Sequence, residues 1–396
     1  MSGVSKEQRV GFILDPRSWL GGQNYFRNLL IAIARLPEPK LVPVIFTSRG
    51  NRTAVSGLPP FEIVPTSMMD RGSLPWLVRK CIGKSFLGDV CLERVLRQSG
   101  ISVLSHSRPL VSNSKIASIG WIPDFQHVHL PEFFSAKERH TRDHEFMEIC
   151  SKSNKIIVSS NCALADLRAF APPHAAKAEV LQFVASPPRQ SNESSLAVLQ
   201  MRYKFDGRFF VLPNQFWAHK NHRVVIEALM LLKQRNRKVT VLATGSTWDH
   251  RQPGFFDSLM KYVDELGVRD QFRVLGVIPF VELAELMRSA VALINPSKFE
   301  GWSTSVEEAK SMGKQIILSD IPVHREQAPS RGIYFAATDS ARLSEILWNT
   351  VSEFDERADI DAQKGALLEL TARQLGFAIN YQRIVLSLAP GAERQP

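Results

Sequence analysis

The sequence predicts an α/β protein of two domains, each a parallel β-sheet with helices on both faces. Three observations carry this. The chain has 396 residues, twice the ~100–200 residues of one ordinary domain. Short apolar runs alternate with helix-period stretches from end to end and hairpin signals are scarce, which favours parallel strands joined by crossover helices. A polar stretch at 185–195, with Pro187, Pro188, Ser191, Asn192 and Ser194, interrupts the alternation and reads as a linker.

Taken in order, residues 9–15 read as a buried strand, and 21–36 as a loop opening an amphipathic helix. Strand-like runs follow at 41–47, 61–65, 102–106 and 115–124. Helical patterns occupy 74–98 and 135–153, and 155–160 is a further strand. Beyond the linker the alternation restarts, with strands at 209–212, 238–244, 272–277, 291–295 and 315–319. Helices fill the gaps at 222–234, 255–266, 281–289 and 304–312. The second half therefore reads as a second Rossmann-like sheet. The expected division is 1–190, 191–375 and a terminal helix and tail at 376–396 packing back on the first domain. Such sheets bind ligands beyond the carboxyl ends of their strands, so the site is expected in a cleft between the domains.

Composition removes several classes. With 44% apolar and 22% charged residues the chain is neither disordered nor collagen-like. No apolar run approaches the ~20 residues that span a bilayer, and residues 1–9 lead into the first strand without a cleavage-site pattern. Cys81, Cys91, Cys150 and Cys162 form no metal-binding spacing and read as reduced thiols of a cytoplasmic protein. The net charge is +10. Residues 1–190 hold 24 basic and 15 acidic side chains, and 191–396 hold 25 and 24, so the excess lies in the first half. An anionic partner is expected there: nucleic acid, acidic membrane or a phosphorylated substrate.

The most informative stretch runs from Asn295 to Ala309. It follows a strand, turns at Gly301, and offers Thr304-x-x-Glu307 and Ser305-x-x-Glu308 as alternative capping boxes. A helix starting there would point unpaired amides and a favourable dipole at a phosphate. Glu300, before the turn, and Glu308, one turn in, could face one pocket, where carboxylates accept hydrogen bonds from sugar hydroxyls; on spacing alone, Glu307 and Glu308 could equally serve only to complement the helix dipole.

Glu300-x7-Glu308, with Gly301, Trp302 and a small-residue helix start, resembles the signature of the retaining, nucleotide-sugar-dependent glycosyltransferases of family four. That resemblance implies the GT-B fold, two Rossmann-like domains facing across a cleft. It places Glu300 by the donor sugar, Glu308 on the ribose hydroxyls, and the amides of Trp302, Ser303 and Thr304 on the sugar and diphosphate. A second matching stretch runs from Leu212 to His222. Here Lys220 matches the lysine that faces the diphosphate, and Asn214 stands where relatives carry an arginine. Val277 and Ile278 would border the nucleobase. In the first half, Gly21 and Gly22 resemble the glycine-rich loop that meets the donor; they form no GxGxxG fingerprint, which argues against a nicotinamide dinucleotide.

Many relatives carry a His-Asp pair near the reacting centre. Here Pro123 precedes Asp124 and departs from that pattern; of His127 and His129 in the turn beyond, His127 is favoured for the role because Asp124 could orient it. The form Asp124-Phe-Gln-His127 resembles bacterial members that assemble cell-surface polysaccharides. The helix at 74–87 mixes Trp76, Ile82, Phe86 and Leu87 with Arg79, Lys80 and Lys84, which suits either an ordinary helix packing on its sheet with a solvated basic face or one lying on an anionic lipid surface. The expectation is a retaining hexosyltransferase using a UDP- or GDP-linked sugar and a glycan or lipid-linked acceptor. It would be cytoplasmic or peripheral on the inner face of the membrane, with no metal, no cofactor and no nucleic-acid partner. The alternatives are a catalytically silent scaffold or nucleotide-binding protein, and less favourably a nucleic-acid binder.

Overall fold

The computed structural model describes residues 7–14, 20–50, 55, 57–82, 88–188 and 195–389. The chain divides into two compact units. Unit 1 takes Met1–Phe125, His140–Val184 and Ala372–Pro396; unit 2 takes Gln126–Arg139 and Ala185–Thr371.

Up to residue 184 the strands are β1 (Gln8–Ile13), β2 (Leu41–Thr47), β3 (Glu62–Pro65), β4 (Val103–Ser105), β5 (Ala117–Ile122), β6 (Lys155–Val158) and β7 (Ala178–Val180). The helices are α1 (Leu20–Ile33), α2 (Leu74–Ile82), α3 (Val90–Gln98), α4 (Gln126–His129), α5 (Ala136–Lys152) and α6 (Asn161–Phe170). The seven strands pair in parallel in the order β3-β2-β1-β4-β5-β6-β7. The inner strands are apolar on both faces, as a doubly covered sheet requires: Val10, Phe12, Val44, Ile45, Phe46 and Ile119 are fully buried.

The single helix expected over 74–98 is two helices. Gly88 lies between them at φ +70, and a Cβ there would fall 2.3 Å from the Leu110 carbonyl oxygen. Only glycine fits that approach. Asp89 then caps α3 by accepting from the Leu92 amide at 3.2 Å. Residues 83–87 of the proposed lipid-facing helix lie outside the described residues. Within α2, Leu74, Leu77 and Val78 are exposed, beside exposed Arg71 and Lys80.

From residue 195 the strands are β8 (Phe209–Pro213), β9 (Thr240–Thr244), β10 (Phe272–Gly276), β11 (Leu293–Asn295), β12 (Ile316–Ser319) and β13 (Gly332–Phe335). The helices are α7 (Leu196–Tyr203), α8 (His222–Gln234), α9 (Phe255–Glu265), α10 (Phe280–Ser289), α11 (Thr304–Ser311), α12 (Pro322–Gln327), α13 (Ser340–Ser352) and α14 (Glu356–Leu386). The sheet is parallel throughout, in the order β10-β9-β8-β11-β12-β13. One apolar cluster, with Phe210, Val241, Ile294 and Ile317, meets α8, α9 and α13 on one face. Another, with Phe209, Val211, Leu242 and Leu293, meets α7, α10 and α11 on the other. At ~1.5–3 kcal/mol for each fully buried large side chain, these layers dominate the stability of the unit.

The terminal helix expected from 376 is the last part of α14, a helix that contributes to both units. Its first turns are fixed in unit 2 by a buried cluster: Lys314 Nζ donates to Asp359 Oδ2 at 2.5 Å, and Arg331 donates to Asp359 Oδ1 at 2.8 Å. Its last turns belong to unit 1, where the Tyr381 hydroxyl donates to Ser105 Oγ at 2.6 Å.

Candidate functional site

Strand order in unit 2 reverses between β8 and β11, and in open parallel sheets such a reversal opens a crevice at the carboxyl ends of the strands. Two loops leave there, 214–221 after β8 and 296–303 after β11. The first turns through Trp217 into a 3-10 turn, Ala218–Lys220, and ends at Asn221 with φ 58. Asparagine tolerates this left-handed backbone. Its side-chain amide holds the position by donating to the carbonyls of Pro296 at 2.9 Å and Ala337 at 2.8 Å. The Lys298 amide donates to the His219 carbonyl at 2.8 Å, so the two loops are bound to each other.

This joining brings Lys220 to Glu300. Lys220 Nζ donates to Glu300 Oε1 at 2.7 Å, with both side chains largely buried. Ser297 Oγ lies 2.7 Å from both Glu300 Oε1 and Asn295 Oδ1, and its single proton serves one of them at a time. Asn295, fully buried at the end of β11, also accepts from Asn214 Nδ2 at 3.3 Å and donates to Ser303 Oγ at 2.8 Å. The Asn214 side chain is thus turned to β11. Behind it, Gly245 directly follows β9 at φ +135, and a Cβ there would lie 2.6 Å from the Asn214 carbonyl oxygen.

Neither expected capping box forms. The helix cap is Ser303, and its hydroxyl is taken by Asn295, so it makes no side-chain cap bond. Its amide donates to Gln327 Oε1 at 3.2 Å. Glu307 accepts from Gln327 Nε2 at 3.3 Å in place of a reach back to the cap. The first helical bond of α11 is Glu307 N to the Ser303 carbonyl at 3.1 Å, which leaves the amides of Thr304, Ser305 and Val306 heading the helix.

Two carboxyls of this site are set in opposite states. Burial pushes the Glu300 carboxyl up, but the charge and hydrogen bond of Lys220 outweigh it and hold the group below its usual value. Glu308, equally buried, is pushed up to about 8 by desolvation. At neutral pH one is ionised and the other holds its proton. Beside Glu300, burial depresses the His324 imidazole against the opposing pull of the Glu300 charge. His324 Nδ1 donates to the Ser319 carbonyl at 2.8 Å, while its Nε2 is buried with no hydrogen-bond partner among the described residues. Within the β8 loop, His219 is held far under its usual value by burial and then by the charges of Lys220 and Arg251.

The structure therefore gathers Asn214, Lys220, Glu300, Trp302, Ser303, Thr304 and Glu308 on two adjoining loops and one helix start. Val277 and Ile278 follow β10, two strands away from β8; Val277 is 75% exposed, and Ile278 packs against the core. His127 lies in unit 2, buried in α4, its ring 6.2 Å from Phe134. Asp124 lies in unit 1, where it accepts from Arg142 at 2.9 Å. Gly21 and Gly22 form the start of α1, also in unit 1. Sequence reasoning passed over Asn221, Asn295, Ser297, Gln327 and His324. The first three lay inside the motifs already singled out, but their work is to cross-link loops distant in sequence, which spacing alone does not reveal. Among the described residues no group of three or more His, Cys, Asp or Glu side chains is placed to hold a metal ion.

Residues 203–361 match the family described as glycosyl transferases group 1. The chain is 27% identical over 171 residues to the O-antigen chain mannosyltransferase RfbU of Salmonella typhimurium, covering 39% of this chain and 44% of that one. It thus spans under half the length of that relative. Among solved structures, Anabaena HepE in complex with UDP and glucose shares the fold at a TM-score of 0.67 and 14% identity, over 96% of this chain and 100% of that one. WaaG, a glycosyltransferase involved in lipopolysaccharide biosynthesis, does so at 0.56 and 14%, over 97% and 100%.

Proposed function

We propose, for a chain that over residues 203–361 belongs to the group 1 glycosyl transferases and that has the GT-B fold, the transfer of a hexose from a nucleoside diphosphate sugar. The acceptor is a glycan or lipid-linked saccharide of cell-surface polysaccharide synthesis, and the anomeric configuration is retained. The observation that carries this reading is the Lys220–Glu300 pair set beside the head of α11, with buried Glu308 one turn further on.

The chemistry follows from that placement. As the bond from sugar to phosphate breaks, negative charge grows on the departing diphosphate and positive charge on the sugar ring. A fixed ammonium and unpaired helix amides aimed at that phosphate lower the barrier, because they are oriented before the charge appears. Lys220 and the amides from Thr304 onward fill this role. Glu300, ionised and held by Lys220 and Ser297, positions the sugar through its hydroxyls. Glu308 takes the ribose hydroxyls. Asn214 adds no charge, so the diphosphate relies on Lys220 and the helix. His127 is the candidate for contact near the reacting carbon. The reading needs no metal or cofactor.

RfbU is a mannosyltransferase by name and HepE was solved with UDP, which supports both GDP- and UDP-linked donors as candidates. Among the described residues no helix is long and apolar enough to cross a membrane. The exposed apolar and basic residues of α2 support a peripheral position on an anionic cytoplasmic leaflet, where a lipid-linked acceptor would be met.

Calorimetry and thermal unfolding against UDP, GDP, ADP and their sugar conjugates test the reading. A ligand at a hundred times its Kd raises stability by ~2.7 kcal/mol. One nucleotide is expected to bind, with binding lost in Glu308→Ala and weakened in Lys220→Ala. Absence of binding at millimolar concentration refutes the donor site, and binding without turnover of any sugar conjugate favours the scaffold alternative.

A further inference from the structure

The segment Gln126–Arg139 is flanked on both sides by residues of unit 1, yet it belongs to unit 2. One side chain ties the segment to the rest of that unit. Arg251, in the loop after β9, is almost fully buried, 8% of its side chain being exposed. Its guanidinium lies between two rings, 4.8 Å from that of Phe134 in the segment and 4.8 Å from that of Trp217 in the β8 loop. It donates through Nη1 to Gln126 Oε1 at 3.3 Å, at the other end of the segment from Phe134. The buried Asp249 carboxylate, 3.7 Å from Arg251 Nε, balances the charge and accepts from the Arg251 amide at 3.0 Å.

Each ring leads onward to the candidate site. Trp217 opens the 3-10 turn that presents Lys220, and its carbonyl accepts the Lys220 amide at 2.9 Å. In the segment, the His129 ring lies 5.2 Å from that of Phe299, the neighbour of Glu300. His127, between Gln126 and His129, is buried within the same piece of chain. A planar cation held between two aromatic faces is a specific tie, because an ammonium cannot stack on both.

We infer that Arg251 is a positioning residue that anchors the His127-bearing segment to the Lys220 and Glu300 loops, so that His127 is held in register with the donor. This inference rests on the transferase reading for its effect on turnover, but not for the anchoring itself. Arg251 acts through the segment and is not assigned a contact with the donor.

The test uses the full chain with Arg251→Met, Arg251→Lys and Phe134→Leu, and the double variant Arg251→Met/Phe134→Leu. Amide hydrogen exchange is followed over 127–139 without ligand. Affinity is measured for UDP and GDP, and turnover for UDP-glucose and GDP-mannose. In Arg251→Met, exchange over 127–139 is expected to quicken at least about tenfold. Nucleotide affinity and KM are expected to stay within about twofold, while kcat falls at least about tenfold. Phe134→Leu is expected to repeat the pattern, with the double variant no worse than the more severe single one, as for two parts of one tie. If Arg251→Met does not fold, Arg251→Lys decides, since it keeps the charge and loses the double stack. Unchanged exchange overturns the anchoring. A tenfold loss of nucleotide affinity with unchanged exchange assigns Arg251 to the diphosphate instead and also overturns it. Quickened exchange in a protein that binds no nucleotide refutes the transferase reading and leaves the anchoring standing.

Discussion

Glu308→Gln isolates the cost of burying a carboxyl at the head of a helix. In the folded chain this group ionises at about 8 against an ordinary 4.5, because burial disfavours its charged form. Between those values the folded state holds one proton more than the unfolded state, so stability falls as the pH rises through the window and levels off above it. At 1.36 kcal/mol per pH unit the whole difference amounts to about 5 kcal/mol, of which about 4 falls between pH 5 and pH 8.5. Glutamine keeps the shape and cannot titrate. Denaturant unfolding at the two pH values is expected to show the wild type losing about 4 kcal/mol more than Glu308→Gln. Ribose hydroxyls donate best to the ionised form, so nucleotide affinity is expected to rise roughly tenfold from pH 6.5 to pH 8.5 in the wild type and to stay flat in the variant. Equal pH slopes of stability in the two proteins, within about 0.5 kcal/mol, would refute the reasoning, since the carboxyl would then be ionised as readily folded as unfolded.

Lys220→Met leaves Glu300 buried without its cation and is expected to cost about 3 kcal/mol in denaturant unfolding; Glu300→Gln in the same chain should restore a large part of it, a coupling that a double-mutant cycle measures. Gly245→Ala forces a Cβ toward the Asn214 carbonyl and a left-handed φ on alanine, so a loss of about 1–3 kcal/mol is expected, with weaker nucleotide binding by calorimetry as the β8 loop shifts. Co-sedimentation with phosphatidylglycerol vesicles is expected to capture the protein at low salt, and Leu74→Glu with Lys80→Glu should release it; equal capture of both proteins would remove α2 as the contact.

Much of this architecture was legible in the sequence because buried parallel strands are continuous apolar runs. Phe209–Pro213 and Ile316–Ser319 announce themselves in that way, and α8 was placed at its observed bounds by its apolar period. The short strand Ala178–Val180, with a half-buried glutamate at its centre, carries no such run and passed unread. Helix α14 has almost no consistent apolar face along its length, because its buried stripe includes the polar Asp359 and Gln374 while Leu367, Leu368 and Ile379 are exposed. At the site, Glu300, Glu308 and Lys220 were found through motif spacing. The capping of α11 differs from the expected boxes because the cap is Ser303, one residue before Thr304, and distant Gln327 takes both the Ser303 amide and Glu307. Arg251 was missed for a related reason: its partners stand at 126, 134 and 217, and no local pattern joins those positions.

The path of α14 bears on how the protein is made. A ribosome delivers residues in order, and unit 2 has all of its chain once Thr371 has emerged. Unit 1, begun first, must wait for residues from Ala372 onward. Until then Ser105 has no Tyr381 hydroxyl at 2.6 Å, the Lys40 amide lacks Gln382 Oε1 at 2.8 Å, and Glu179 lacks Arg383 at 3.2 Å. The earlier-synthesised half is therefore the later to be completed during translation, and a nascent chain stalled before residue 372 would hold a finished second unit beside an unsealed first one.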